Sequence, residues 1–389
     1  MKKAYLGKKV LLLDGYGRQI PSILHQLHQL GCVITTMCES KLDVGYTSRY
    51  PHKRIVVHGI REDKEIYRQA IEKELEIENY DIISPILEKA TDICIDGTLQ
   101  TRYPELKIIA ATRESFHKAY NKQETMRICM ENDIPCPITK MDGETLEEFL
   151  NKVKFPICAK PRKGSGGAGF KRISCREELD AYIADGTIKV EEYVIQELIP
   201  KGGSQYGSYV MMDKNHKAQY IMSVEACRWF PIDGGPGCYI RTINRESMTE
   251  CARKLMEKLE WTNFGHVGYI MDPRDNTPKV MEINGRIPAG IKICELAGME
   301  PVKNMLDLAY GKELLPVCKT VPEHMALRYF HTDLLWFLKN PDRFKVKPSW
   351  FYCAKQHDYI FSWADPIPFF SYAIEHVMSY KKDMAKRKH

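Results

Sequence analysis

The chain has 13 cysteines but no C-x-x-C pair and no Cys/His cluster. That leaves no ligand set for a structural zinc and no disulfide framework. Such usage fits a reducing cytoplasm, the expected compartment. Long apolar runs are missing as well. The run Val10 to Leu13 stops at Asp14, too short for a signal peptide or a membrane span. No Gly-Lys-Ser/Thr closes a glycine-rich stretch, which excludes a Walker A loop. There is no convincing Ser/His/Asp or cysteine nucleophile, no internal repeat and no low-complexity segment. Neither sign of charge dominates: 57 basic against 51 acidic residues leave a net charge of +6. That balance fits anionic small molecules as well as nucleic acid and decides neither. The basic run Lys381 to His389 reads as a solvated end.

What is present is enough chain, 389 residues, for two or three domains. The first part alternates apolar strands with helical spacing. Strands are expected at Lys9 to Leu13, Cys32 to Met37, Arg54 to His58, Asp81 to Ile86 and Lys107 to Ala111, with helices at Ile20 to Leu30 and Glu62 to Ile77. Alternation of this kind gives a parallel sheet covered by helices. The turn after its first strand, with Gly15, Gly17 and Arg18, sits where such sheets bind ligands. Asn121 can cap the next helix, with Glu124 completing a capping box and Lys122 in its first turn.

The strand Phe155 to Lys160 leads to Gly164-Ser165-Gly166-Gly167-Ala168-Gly169. This matches G-x-G-x-x-G and invites a nicotinamide-dinucleotide reading. That fingerprint needs a helix directly after the glycines, whereas Phe170 to Ile173 reads as a returning strand. A glycine hairpin whose N–H groups cover phosphates fits better, with Lys160 beside it; a surface hairpin without a ligand is the bland alternative. Val194 to Pro200, with Gln196, Glu197, Leu198 and Ile199, is strand-like and can offer backbone amides and a carboxylate to an adenine edge; read alone, an ordinary core strand explains it well. The loop Arg228 to Gly237 lets backbone approach a ligand, and Arg228 can hold an anion; a long turn is the competing reading.

Val280 to Ile283 reads as a strand ending at Gly285 and Pro288. Alternation places Glu282, Asn284 and, if the path stays extended, Arg286 on one face, and turns Met281 and Ile283 to the core. A carboxylate and an amide oxygen suit Mg²⁺ that also takes substrate phosphates, and arginine suits a phosphate. Read alone, a polar surface strand explains the tripeptide about as well. Trp336, Trp350 and Trp363 read as core packing in the last part.

In this order the parts resemble the ATP-grasp superfamily, in particular the carbamoyl-phosphate-synthase-like carboxylate–amine ligases, from the N-terminal unit to about Tyr310. The resemblance implies an α/β chain, α+β in its central part. A Rossmann-like pre-grasp unit over 1–117 would precede a two-lobed ATP-grasp domain with nucleotide between the lobes. The small lobe with the glycine loop would span 118–190, the large lobe with the metal site 191–311, and an extension packed on the large lobe 312–389. Lys122 and Lys160 would contact phosphates, and Gly164, Ser165, Gly166, Gly167 and Gly169 would cover them. The hinge Gln196, Glu197, Leu198 and Ile199 would hold adenine. Glu282 and Asn284 would bind Mg²⁺, with Mn²⁺ as a substitute, and Arg286 would hold the transferring phosphoryl group.

One position departs from the family pattern. Gly268 stands where a further metal ligand is usual, and Asp272 is the candidate substitute. The implied function is ATP-dependent joining of a carboxylate to an amine through an acyl phosphate, with release of ADP and phosphate. Arg228, and less directly Arg18, would orient the acid. Expected partners are small acids and amines, such as amino acids, peptides or nucleotide sugars, and a second copy of the chain. A non-catalytic nucleotide-binding protein and a nicotinamide-dependent oxidoreductase are the other classes left open.

Overall fold

A computed structural model describes residues 3–164, 167, 169–200, 202–232, 234–314, 321–352 and 356–376. Ser165 and Gly166, expected to cover phosphates, lie outside the described residues, as does the basic run from Lys381. Strands β1 (Lys9–Leu12), β2 (Val33–Cys38), β3 (Lys53–Val56), β4 (Ile82–Ser84) and β5 (Lys107–Ile108) form one sheet in the order β3-β2-β1-β4-β5. Every pairing in it is parallel. Helices Ile20–Gln29 and Lys64–Ile77 are among its crossovers. Asp63 fixes the start of the second by accepting from the Glu65 and Ile66 amides, which satisfies two donors a helix start leaves free.

Strands β6 (Ile157–Pro161), β7 (Lys171–Ile173) and β8 (Tyr193–Glu197) form a small antiparallel sheet in the order β7-β6-β8. The chain thus returns as a strand after the glycines, and the helix a dinucleotide fingerprint demands is not there. The third sheet contains β9 (Gln205–Met212), β10 (Ala218–Trp229), β11 (Gly237–Ile243), β12 (Asn263–Asp272), β13 (Thr277–Asn284), β14 (Ala326–Arg328) and β15 (Gln356–Asp358). Its order is β13-β12-β9-β10-β11-β14-β15. Residues beyond 312 therefore extend this sheet past β11 by backbone pairing, rather than only resting on its surface.

One apolar core joins the first and third sheets: Val10, Ile20 and Leu24 share it with Met211, Ile291, Leu306 and Trp336. A second lies between β9, β12 and β13 and the helices Lys122–Glu131 and Glu246–Lys258. The small sheet has its own core of Phe149, Ile157, Ile173, Leu179 and Ile195.

Three expectations change. Glu124 does not complete a capping box; it pairs with Arg127 at 2.9 Å, and Asn121 alone caps, accepting from the Gln123 amide. Trp336 is buried, but Trp363 is 89% exposed and packs into no core. Met281 is only half-buried, unlike Ile283. The cause is a register break: Gly268 pairs with Glu282, but Tyr269 pairs with Val280. Met281 is the extra residue of a bulge, which turns its side chain out and frees its carbonyl from the ladder.

Candidate active site

Strand β13 carries the centre of the site. Glu282 and Asn284 face the same side and are half-buried, with Glu282 Oε1 3.4 Å from Asn284 Nδ2. Opposite Asn284 on β12 is His266, whose Nδ1 lies 3.2 Å from the same Nδ2. Burial pushes the His266 imidazole down to about 4, opposed by Glu282 and aided by Arg286. A neutral ring with its proton on Nε2 accepts from the amide at Nδ1. With the NH₂ group so held, the amide oxygen of Asn284 is left for another partner. Glu282 makes no ion pair among the described residues.

Two lysines face this carboxylate. Lys160, on β6, donates to the Met281 carbonyl at 3.1 Å, the group freed by the bulge. Lys122, at the start of its helix, donates to the Gly164 carbonyl at 2.6 Å. Burial lowers the pKa of both; Glu282 opposes this at both, Glu88 at Lys122. Neither lysine is paired with a carboxylate among the described residues. Two partly buried ammonium groups and a carboxylate without an ion-pair partner among the described residues, all acting on one another electrostatically, form an incomplete charge set that a metal-bound polyphosphate would complete. The donor chemistry of Glu282 and Asn284 therefore fits one hard divalent cation. Nothing is supplied by position 268: the missing Cβ would lie 3.4 Å from Glu282 Cγ, and glycine offers no ligand.

Arg286 is beyond the end of β13. Its Nε donates to Glu88 Oε1 at 2.7 Å, at the start of the helix Glu88–Cys94. Sequence reasoning missed Glu88, since the contact spans 198 residues. Asp14 sets that helix start: it is fully buried and its Oδ2 accepts from the Ile86 and Leu87 amides at 3.1 and 2.7 Å. Burial raises the Asp14 carboxyl to about 6, against the pull of these amides.

The structure does not bring three expected residues to this centre. Asp272 is buried and accepts from Arg274, while Lys279 lies 3.0 Å from it. Hydrogen bonding from Arg274 holds its carboxyl well below the usual range. It pairs with Thr277 on β13, at the far end of the strand from Glu282, so it is a salt-bridge acceptor and not a substitute for position 268. The Glu197 carboxylate is engaged in the same network, by Arg274 at 2.8 Å, Lys279 at 3.0 Å and the Ile138 amide at 3.0 Å. That carboxylate is not free for an adenine amine, and the Glu197 amide itself donates to the Ile138 carbonyl at 2.8 Å. Gln196 is wholly buried and donates to Thr139 at 2.7 Å, so its side chain braces β8. Leu198 and Ile199 follow β8, half-buried and buried. Gly167 lies exposed in the β6–β7 turn. Gly169 approaches the Pro161 ring so closely, 2.7 Å from where a Cβ would stand, that only glycine fits there.

Arg228 is the third. It is 1% exposed and clamped to Asp333, Nε to Oδ1 at 2.6 Å and Nη2 to Oδ2 at 3.0 Å. Its Nη1 donates to the Pro348 carbonyl, and the guanidinium lies 4.0 Å from the Tyr239 ring centroid. Every face is occupied, which makes it a structural ion pair and not a receptor for substrate.

A small antiparallel lobe with a glycine hairpin, set against a larger sheet with a carboxylate–amide pair, is the arrangement of an ATP-grasp protein. The family model described as the carbamoyl-phosphate synthase L chain, ATP binding domain, matches residues 113–316, and the chain belongs to that family. Human mitochondrial pyruvate carboxylase is 23% identical over 234 residues, 54% of this chain and 19% of that protein. D-Aspartate ligase of Enterococcus faecium is 26% identical over 193 residues, 44% of this chain and 45% of that protein. The chain thus spans less than half the length of these curated relatives. Among solved structures, biotin carboxylase of Campylobacter jejuni in a βγ-ATP complex has a TM-score of 0.67 at 16% identity, covering 82% of this chain and 74% of that one. L-Amino acid ligase of Bacillus licheniformis gives 0.60 at 16% identity, covering 82% and 79%. These likenesses show the fold. No described helix is long and apolar enough to cross a membrane.

Proposed function

We propose that the chain is an ATP-dependent carboxylate–amine ligase that works through an acyl phosphate and releases ADP and phosphate. The observation that carries this reading is the unpaired Glu282 carboxylate, beside Asn284 and facing Lys122 and Lys160. Glu282 and Asn284 would hold Mg²⁺, which neutralises phosphate charge when bound. The two lysines, lacking carboxylate partners, take phosphate oxygens. They thereby exchange the Gly164 and Met281 carbonyls for stronger, charge-assisted bonds. Arg286 turns from Glu88 to the transferring phosphoryl group, and the glycine hairpin limits access of water to the acyl phosphate. Phosphoryl transfer asks mainly for position and charge neutralisation, and these residues supply both. The amino-acid ligases among the relatives and neighbours favour an amino acid as one partner.

A non-catalytic nucleotide-binding protein is the second reading, favoured by the bare position at Gly268. Substitution Glu282→Gln keeps the shape and removes the charge. In a phosphate-release assay across amino acids, dipeptides and nucleotide sugars, the wild-type chain should release ADP and form a product lighter by one water than its two substrates. E282Q should lose that turnover by at least about a hundredfold. Unchanged turnover in E282Q would remove the metal assignment. Nucleotide binding with no turnover for any acceptor would select the non-catalytic reading, and AMP with pyrophosphate would reject the acyl-phosphate route.

A further inference from the structure

The turn after β1 holds a guanidinium that no acid among the described residues neutralises. Arg18 lies 4.8 Å from the Tyr329 ring centroid and 5.4 Å from that of Tyr359. Among the described residues it makes no ion pair and no hydrogen bond. Its neighbours contrast with it. Arg286 is matched by Glu88, Arg228 and Arg328 by Asp333, and Arg61 by Asp43 and Glu375. Leaving a half-buried arginine unmatched is costly unless an anion arrives to pair with it.

The surroundings of Arg18 are assembled from separate stretches. Tyr209 comes from β9, Tyr329 follows β14 and Tyr359 follows β15. Tyr209 and Tyr359 are each 4% exposed. Neither hydroxyl makes a hydrogen bond to a described residue. Arg18 itself is half-buried. Arg18 and Arg286 both act electrostatically on the Tyr209 hydroxyl. An arginine held against aromatic rings keeps its N–H fork for an in-plane acceptor, and a carboxylate matches that fork with both oxygens.

We infer that Arg18 binds a second carboxylate of the acid substrate, distinct from the one phosphorylated beside Arg286, so that the acid joined by this chain is a small dicarboxylate. The Tyr209 and Tyr359 hydroxyls donate to the same group. This inference rests on the ligase reading for its reaction, but not for its binding test.

That test is calorimetric titration of the full chain, saturated with MgADP, with malonate, succinate and glutarate, and with propionate as the monocarboxylate. At least one dicarboxylate should bind about tenfold or more tightly than propionate, as expected for one added charge-assisted pair. R18Q should abolish that advantage and leave propionate binding and MgADP binding unchanged. R18K, which keeps the charge but not the fork, should retain only part of it, and stands in for R18Q if that variant fails to fold. Equal affinity of all acids for the wild-type chain, or an undiminished dicarboxylate preference in both variants, overturns the assignment. Failure of MgADP itself to bind would instead refute the ligase reading, and the acids titrated alone would still decide the role of Arg18.

Discussion

Replacing Arg228 by methionine separates a structural arginine from a substrate-binding one. The variant keeps an unbranched apolar stem between Tyr239 and Trp336, which lie 4.0 and 5.3 Å from the guanidinium. It removes two hydrogen bonds to Asp333 and one to the Pro348 carbonyl. Removing one partner of a buried pair typically costs about 3–5 kcal/mol. Asp333 keeps a second cation, since Arg328 Nε lies 2.7 Å from its Oδ2, which puts the charge term near the low end. The orphaned carbonyl adds about 1 kcal/mol. The expected loss is thus about 3–4 kcal/mol, or a melting temperature lower by roughly 4 °C if the chain unfolds as one unit. A circular-dichroism melt and a urea titration read it directly. The KM for the acid, measured on folded protein, should stay within about twofold. An unchanged melting temperature with a KM raised tenfold or more would refute the argument, since that is how a substrate-binding arginine behaves.

Two further outcomes follow from buried groups. Asp14 has a carboxyl raised to about 6 from 3.8, so between these values the folded chain holds a proton that the unfolded chain has released. Stability should therefore fall as pH rises from about 4 to about 6, by about 3 kcal/mol in all. Asp14→Asn should flatten that segment of a stability-against-pH curve, and an unchanged slope would reject the assignment. Gly290→Ala would set a Cβ 1.8 Å from the Tyr209 hydroxyl oxygen, so the phenol must move. A loss of about 1–3 kcal/mol is expected from such overpacking. Dicarboxylate binding should weaken with it, and an unperturbed melt would show that Tyr209 has room to spare.

The readable part of this chain was its local pattern. Alternation along Val280 to Asn284 correctly put Glu282 and Asn284 on one side, and Phe170 to Ile173 correctly read as a returning strand after the glycines. The pattern failed one residue away, at Met281, because a bulge is set by the partner strand and leaves no mark in local alternation. Charge partners were the larger gap. Asp272, Glu197 and Arg228 each look available in the sequence, but Arg274, Lys279 and Asp333 take them up in the fold. Arg274 and Lys279 sit only a few residues from Asp272, close enough to have prompted the question. Asp333 lies 105 residues from Arg228, and Glu88 is still further from Arg286, beyond the reach of any spacing rule.

The first sheet is strapped to the rest by side chains that cross long stretches of chain. Gln19 reaches the Ile287 carbonyl, Ser22 and His25 reach Glu295, Tyr5 reaches Asp307, and Ser48 reaches Asp365. Those straps also share a dry interior with the seven-stranded sheet. The three-stranded sheet has a separate interior, and its side-chain ties to neighbouring elements include Lys160, Lys122 and the Glu197 cations. Two of those ties are the very lysine contacts that phosphate would displace. Arrival of nucleotide would thus change the side-chain ties of this sheet, while the wall bearing Arg18 and Arg286 keeps its own. Amide exchange with MgADP present should accordingly change in β6 to β8 and leave β1 to β5 as they were.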